Sequence, residues 1–572
     1  MPASLRAVFH RAFTVLSTLV VALTGLPPGA AAQPESPVTL NLAYTRDIPS
    51  LDPARLSPFA ADYQARDVVE NLFVGLTALD PASNGVEPNL AQSWQVSDDG
   101  LTWAFSLRDD VYWVRHNPIT GETYRLRPVV ADDFVFAIQR VCSPLTGSPY
   151  FTSIFIVDGC QVVYRTDSRF ITDEFVAGRV RVRAIDARTV EYKLLFRAAY
   201  FLTFTAMPEF RPLPREFVRN VDGWDTVSSV VTNGPFVVTE WVRGESLTLA
   251  RNPHWPGAWA GNVERVAIAF IDPDTALTAF NAGELDRAEV APGAAPPGAA
   301  QSVMRPSVML LGFSAERGLM AERGVRQALA WSIDRAALVN QLLPGEGAPM
   351  THFTPPGMAA GPPLDKIGKG YDPDAARQAL AVAGYAQCGG VPAQIEVMVD
   401  DSARSQAIAQ FIVESWQREL GCNPGLFVVT PAPFRTVLAN ARDTYSDEPD
   451  YQRPHVWLVI NWTADYYDAN NWLSDALHCR YGMLRTGIPC DETDALIDAA
   501  GEQPDPAERA RLIAEIEDRL FGEVGKYPIV PLYVVTQPVA QQPWLTADRL
   551  PAGLIGPARY DRWIIDTAAR GR

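Results

Sequence analysis

From Val231 to Val535 short apolar runs alternate with longer amphipathic segments, and this alternation constrains the fold more than any other feature. "FVVTEWV", "VERVAIAFI", "SVMLLGF", "QIEVMVD", "VWLVI" and "YPIVPLYVV" have strand length and are rich in β-branched and aromatic side chains. "DPDTALTAFNAGELD", "RGVRQALAWSIDRAALVNQLL" and "SARSQAIAQFIVESWQREL" carry apolar residues at helical spacing. Strands interleaved with crossing helices predict an α/β protein with mixed sheets. Before Val231 the pattern changes. "SWQVSDDGLTWAFSLRDDVYWV" reads as a hairpin turning at Asp98-Asp99-Gly100, and "RVRAIDARTVEYKLLF" as another turning at Asp186-Ala187-Arg188. An amphipathic helix is expected in "RPVVADDFVFAIQRVC", and helical spacing also runs from Asp62 to Leu72. "APGAAPPGAA" (291–300) reads as a loop or a connection between lobes.

The first 32 residues read as a leader and not as part of the fold. Arg6, His10 and Arg11 precede an apolar stretch from Phe13 to about Leu26; Pro27-Pro28-Gly29 breaks it, and Ala30-Ala31-Ala32 supplies small residues for cleavage. A signal peptide over 1–32, a mature start at Gln33 and a periplasmic or other extracytoplasmic location follow. No Cys stands near that junction, so no lipid anchor is expected, and no later stretch approaches twenty uninterrupted apolar residues. The remaining length suits two to four domains. The formal charge is −17, or −19 once Arg6 and Arg11 leave with the leader, which argues against nucleic acid or an anionic membrane as the partner.

Six cysteines, Cys142, Cys160, Cys388, Cys422, Cys479 and Cys490, suit disulfides in an exported chain. They fall into three local pairs in sequence order, and those pairs are the expected bridges: 142 with 160, 388 with 422, 479 with 490. No C-x-x-C or H-x-x-x-H spacing occurs and His478-Cys479 is an isolated neighbour pair, so no metal is expected. No nucleophile elbow, phosphate loop, dinucleotide fingerprint or H-E-x-x-H is present, and an enzyme is not expected. Asp98-Asp99 and Asp132-Asp133 sit where turns and helix starts favour acids.

One stretch stands apart. "NWTADYYDANNW" (461–472) follows the apolar run Val456–Ile460 and sets Asp465 and Asp468 among aromatic rings. A charge in such surroundings needs a partner. Two readings fit the residues alone: a capping aspartate at a strand-to-helix turn, or a carboxylate that receives a ligand's ammonium group.

Eight stretches in order resemble the extracytoplasmic solute-binding proteins of peptide ABC transporters, the oligopeptide- and dipeptide-binding proteins of family 5. They are "SLDPA" (50–54), "EPNLAQSWQVSDDGLTWAFSLRDDVYW" (87–113), "VTNGPFVVTEWVRGESLTLARNPHW" (231–255), "FNAGELDRA" (280–288), "GVRQALAWSIDRAALV" (324–339), "FTPPG" (353–357), "YDPDAARQALAVAGY" (371–385) and "WTADYYDA" (462–469). The resemblance implies an α/β, two-lobed periplasmic-binding-protein fold, type II, in its large three-domain variant with mixed sheets and a hinge. Domain I would comprise 33–62, 200–305 and 537–572, domain II 63–199 and domain III 306–536. It implies a monomer, without cofactor, that captures peptides between its lobes and hands them to an inner-membrane ABC permease. The same role for a sugar, metal chelate or other small molecule, a purely sensory binding role, and a secreted enzyme are the alternatives.

In that family the aspartate matching Asp465 pairs with the peptide's α-ammonium, the tryptophan matching Trp462 lines the cleft, and Asp47 matches an acid near it. Tyr466 would add to the aromatic wall. Asp468 is expected to cap the following helix, and Arg404 to be solvated. The chain departs from the family pattern in "VRHNPITGETYRLRPV" (114–129), an insertion, and in the long stretch 441–455. It also carries Val459 where oligopeptide binders often have an arginine.

Overall fold

The computed structural model describes residues 37–56, 63–80, 85–149, 151–219, 223–363, 367–443, 453–547 and 558–571. The leader read over 1–32 lies outside them, as does most of the long stretch 441–455.

An eleven-stranded mixed sheet runs through the molecule. Its order is Phe236–Val242, Ser246–Arg251, Arg265–Phe270, Thr39–Tyr44, Arg287–Glu289, Ile529–Gln541, Ala300–Phe313, Val456–Thr463, Ile395–Asp400 and Phe427–Ala432, with Gly347–Pro349 added beside Ile529–Gln541. Thr39–Tyr44 is parallel to both its neighbours, as is Ile395–Asp400, while the central pairs are antiparallel. Two long strands, Ala300–Phe313 and Ile529–Gln541, pair with each other through the middle. Their ladder shifts register between Met304 and Val308, where Pro306 has no N–H to offer.

That break separates two hydrophobic cores. One gathers Leu40, Leu42, Phe73, Phe105, Trp113, Phe201, Phe236, Tyr560 and their neighbours; the other begins at Val308 and includes Trp416, Trp457, Trp472, Phe521 and Tyr533. Strand residues facing a core alternate with solvent-facing ones, as in Thr102–Leu107, where Trp103, Phe105 and Leu107 are buried. The two long strands are the shared spine of two α/β lobes.

The first lobe also holds a four-stranded antiparallel sheet, Ala91–Val96, Thr102–Leu107, Thr189–Lys193 and Val182–Asp186, made from the two hairpins read in the sequence. The helix Ala131–Cys142 packs beside it. Asp133 accepts the Val130 N–H at 3.0 Å, as a capping acid should, and also the Trp113 indole N–H at 2.8 Å and the Arg127 guanidinium at 2.7 Å. The insertion after Trp113 forms a hairpin of its own, Tyr112–His116 with Thr123–Pro128.

All three local cysteine pairs are bridged. Cα separations are 5.0 Å for Cys142–Cys160, 5.0 Å for Cys388–Cys422 and 5.2 Å for Cys479–Cys490, inside the reach of a disulfide. Among the described residues no helix is long and apolar enough to cross a membrane.

Candidate functional site

The strand Val456–Thr463 ends where the spine changes lobes. Its last residues pair with Ser307 and Val308, and the next N–H, that of Ala464, donates to the Pro306 carbonyl at 2.8 Å. The chain therefore leaves the sheet at the break in the central ladder, and Asp465 is the first charged residue past it. Asn471, fully buried as the second residue of the helix Asn470–Leu477, holds this exit. Its side-chain oxygen accepts the Trp462 indole N–H at 3.1 Å and the Asp465 backbone N–H at 3.3 Å, and its amide donates to Asp475 at 3.1 Å. Tyr466 donates its hydroxyl to the same Asp475 oxygen at 2.8 Å and accepts from Asn470 at 2.9 Å.

The Asp465 carboxyl is half-buried. Burial pushes it up to about 6, against the opposing pull of Arg66, a hydrogen bond from Asn471 and the charge of Arg442. Arg66 comes from the helix Tyr63–Leu72 of the first lobe, and Arg442 follows the helix Phe434–Ala441 of the second. Burial raises Asp475 to about 7, with the Asp465 charge adding to the rise and Tyr466 opposing it. Acids from a strand exit and a helix thus sit on a shared hydrogen-bonded frame, facing basic groups from both lobes.

The other residues singled out in the sequence occupy varied places. Trp462 is buried behind Asp465 with its indole N–H on Asn471. Tyr466 projects into the first lobe, where its ring stacks on Tyr200 at 5.6 Å and 10° and meets Phe204 at 4.4 Å. It is a contact between lobes as much as a wall. Asp468 does accept the Asn470 N–H that opens the following helix, at 2.8 Å, and it also forms a buried two-pronged pair with Arg509 at 2.5 and 2.7 Å. Asp47 lies apart from this cluster: its carboxylate takes the Trp241 indole N–H at 2.9 Å, the Gly244 N–H at 3.0 Å and Arg243 at 3.1 Å. Those bonds pin the hairpin Phe236–Arg251 to the loop after Thr39–Tyr44. Arg404, expected in solvent, is half exposed and pairs with Glu346.

Two neighbours went unread in the sequence. Arg66 is one. The other is Glu209, in the short turn Pro208–Phe210, which is 1% exposed and whose two carboxyl oxygens are both buried without a hydrogen-bond partner. A lone acid within the apolar run "YFLTFTAMPEF" was the available signal. Beside it, Arg211 reaches Glu70 and the Ala206 carbonyl at 2.9 Å through Nη2, while its Nε and Nη1 are buried without a hydrogen-bond partner among the described residues. Near the break in the spine, Arg305 bonds Gln537 at 2.9 Å and Glu289 at 3.2 Å and lies 3.7 Å over the Tyr63 ring.

The one grouping of metal-type donors among the described residues is His478, Cys479 and Asp494. Cys479 is bonded to Cys490, so its sulfur is no thiolate ligand. The donor set does not fit a metal.

Residues 85–483 match the family described as "Bacterial extracellular solute-binding proteins, family 5 Middle". The chain is 25% identical over 522 residues to the oligopeptide-binding protein OppA of Bacillus subtilis strain 168, covering 87% of this chain and 88% of OppA. It is 26% identical over 503 residues to the probable deoxycholate-binding periplasmic protein YgiS of Escherichia coli K12, covering 84% and 86%. Its fold superposes with a TM-score of 0.76 on the unliganded open form of the periplasmic murein tripeptide binding protein MppA, at 22% identity, covering 92% of this chain and 97% of that one.

Proposed function

The chain belongs to the bacterial extracellular solute-binding proteins of family 5, a binding family and not an enzyme family, and from that premise we propose that it captures peptides between its lobes for an ABC permease. The observation that carries the reading is Asp465: a half-buried carboxyl at the break in the spine, on a frame of Trp462, Asn471 and Asp475 that leaves it little freedom. A peptide's α-ammonium is a compact cation with three donors, and a carboxylate in a closing cleft is a strong acceptor for it. Strand edges beside the cleft supply backbone partners for an extended chain. Trp462 backs the carboxyl, Tyr466 ties the exit to the first lobe's core, and the hairpin held by Asp47 closes that lobe's edge. Relatives named for oligopeptides and for a murein tripeptide support this ligand class.

In this reading the mature protein is a periplasmic monomer without cofactor. Its three-domain segmentation breaks at 62/63, 199/200, 305/306 and 536/537, and the lobes close about the spine. A non-peptide solute is the second reading, favoured by the relative named for deoxycholate. Such a carboxylate-bearing amphiphile would meet Asp465 and Glu209 acid against acid. Mass spectrometry of ligands carried through native purification decides between them: peptides with free N-termini support the proposal, and a sterol acid, sugar or chelate overturns it.

A further inference from the structure

Among the described residues, Glu209 is the buried acid whose two carboxyl oxygens both lack a hydrogen-bond partner. It is 1% exposed. Its turn is held stiffly: the Phe210 N–H donates to the Met207 carbonyl at 3.1 Å, the Arg211 N–H to the Pro208 carbonyl at 2.9 Å, and the Phe210 ring packs on Phe201, Phe204 and Tyr192. The carboxyl therefore cannot swing out to water with its turn. The charged groups that face it are Arg66 on the helix Tyr63–Leu72, Arg211 on its own turn and Asp465 from the other lobe. Arg211 is tied to Glu70 through Nη2, its Nε and Nη1 making no hydrogen bond among the described residues, and Arg66 faces Asp465 as well. A buried polar group with no partner is costly, and native proteins retain one where a ligand, ion or water completes it.

We propose that Glu209 is a second ligand acceptor, and that one cationic group of the ligand, its α-ammonium, is shared between the Glu209 carboxyl of the first lobe and the Asp465 carboxyl of the second. This rests on the peptide reading of Asp465 and extends it across the cleft. An ammonium has three N–H donors, and Asp465 alone does not use them all. A cation gripped from both lobes draws them together, so recognition of the N-terminus and closure become one event.

The sharing carries a proton. Burial first raises Glu209 to about 8, against Arg66 and with the charge of Asp465 adding to the rise, which favours its neutral form in the unliganded protein at pH 7. When the ammonium arrives, Glu209 ionises: its O–H bond breaks, the proton passes to the buffer, and the ammonium keeps its own three. Binding at pH 7 then releases up to about one proton per peptide.

Calorimetric titration of the mature chain in buffers of different ionisation enthalpy measures that release directly. The peptide used is the tightest binder from an equimolar pool of defined tri- to pentapeptides and their N-acetylated forms, ranked by native mass spectrometry. Proton release near pH 7, fading above pH 9, is expected in the wild type and should fall by more than half in Glu209→Gln, the remainder coming from Asp465 and Asp475. The preference for free over acetylated N-termini should fall at least tenfold in Glu209→Gln. Absence of proton release in the wild type overturns the sharing without recourse to any variant. A preference that survives Glu209→Gln but is lost in Asp465→Asn overturns it too, and leaves the peptide reading standing. A wild type that captures no member of the pool removes both.

Discussion

Replacing Asp465 by Asn should make the unliganded protein more stable at neutral pH while weakening its grip on peptides. The Asp465 carboxyl is raised from its ordinary 3.8 to about 6 because burial outweighs the help of Arg66, Asn471 and Arg442. A carboxyl whose value is higher in the folded than in the unfolded chain favours folding only while protonated. That contribution is complete below about pH 4 and is lost as pH rises through about 6. At pH 7.5 the difference corresponds to ~3 kcal/mol at most, and partial exposure with solvent screening reduces it to about 1–2 kcal/mol. Asn keeps the shape and a carbonyl acceptor but has no charge to desolvate. The variant should therefore melt about 1–2 °C above wild type at pH 7.5 and alongside it near pH 4. In the same samples, peptide affinity at pH 7.5 should fall by tens- to thousands-fold, since truncating one partner of a buried charge pair costs roughly 2–5 kcal/mol. Differential scanning calorimetry across that pH range, paired with isothermal titration, reads both. A variant less stable than wild type at pH 7.5, with affinity unchanged, would mean that Asp465 braces the loop and receives no ligand cation.

Arg509→Ala leaves Asp468, 1% exposed, buried without its counter-ion, and urea unfolding should show a loss of about 3–5 kcal/mol; an effect below 1 kcal/mol would refute that assignment. Removing the Cys388–Cys422 bridge, which closes a loop of 34 residues, should cost more than removing Cys479–Cys490, which closes one of 11, each loss being on the order of 2–4 kcal/mol; equal melting temperatures for the two double-serine variants would contradict it. Glu517→Gln weakens the acceptor for the Phe353 and Thr354 N–H groups, now at 3.1 and 2.7 Å, and hydrogen exchange of those two amides should speed up well beyond that of their neighbours. Intact-mass measurement of the exported protein should find a chain starting at Gln33, and a retained leader would refute the cleavage reading.

The parts of this fold that depend on near neighbours were readable in the sequence. Both early hairpins, the helix Ala131–Cys142 and the strand Val456–Thr463 follow from local pattern, and the bridges join cysteines adjacent in sequence order. What escaped depends on residues brought together from far along the chain. Asp468 reads as a cap and does accept the Asn470 N–H, but its partner Arg509 lies 41 residues on, with nothing local to announce it. Tyr466 reads as a cleft aromatic, yet its ring belongs to the core of the other lobe because Tyr200 and Phe204 arrive there from a separate segment. Asp47 looks like a free acid in its own loop and is held by a hairpin nearly two hundred residues later. Glu209 faces Asp465 across more than 250 residues of sequence, and no periodicity encodes such a meeting.

The two long strands of the spine have a consequence for when this protein is able to fold. Ile529–Gln541 sits in the middle of the sheet, between Arg287–Glu289 and Ala300–Phe313, and Tyr560 reaches back to Tyr44 at 2.5 Å. The ribosome delivers this keystone after the other ten strands of its sheet. Domains tend to fold from the N-terminus as they emerge, but here neither lobe can complete its sheet until this strand, the last of the eleven in sequence, has been made. A nascent chain that lacks its central strand stays loose, which is the condition a polypeptide must keep if it is to be threaded across a membrane before it becomes compact. Placing a late strand at the centre delays folding by topology alone.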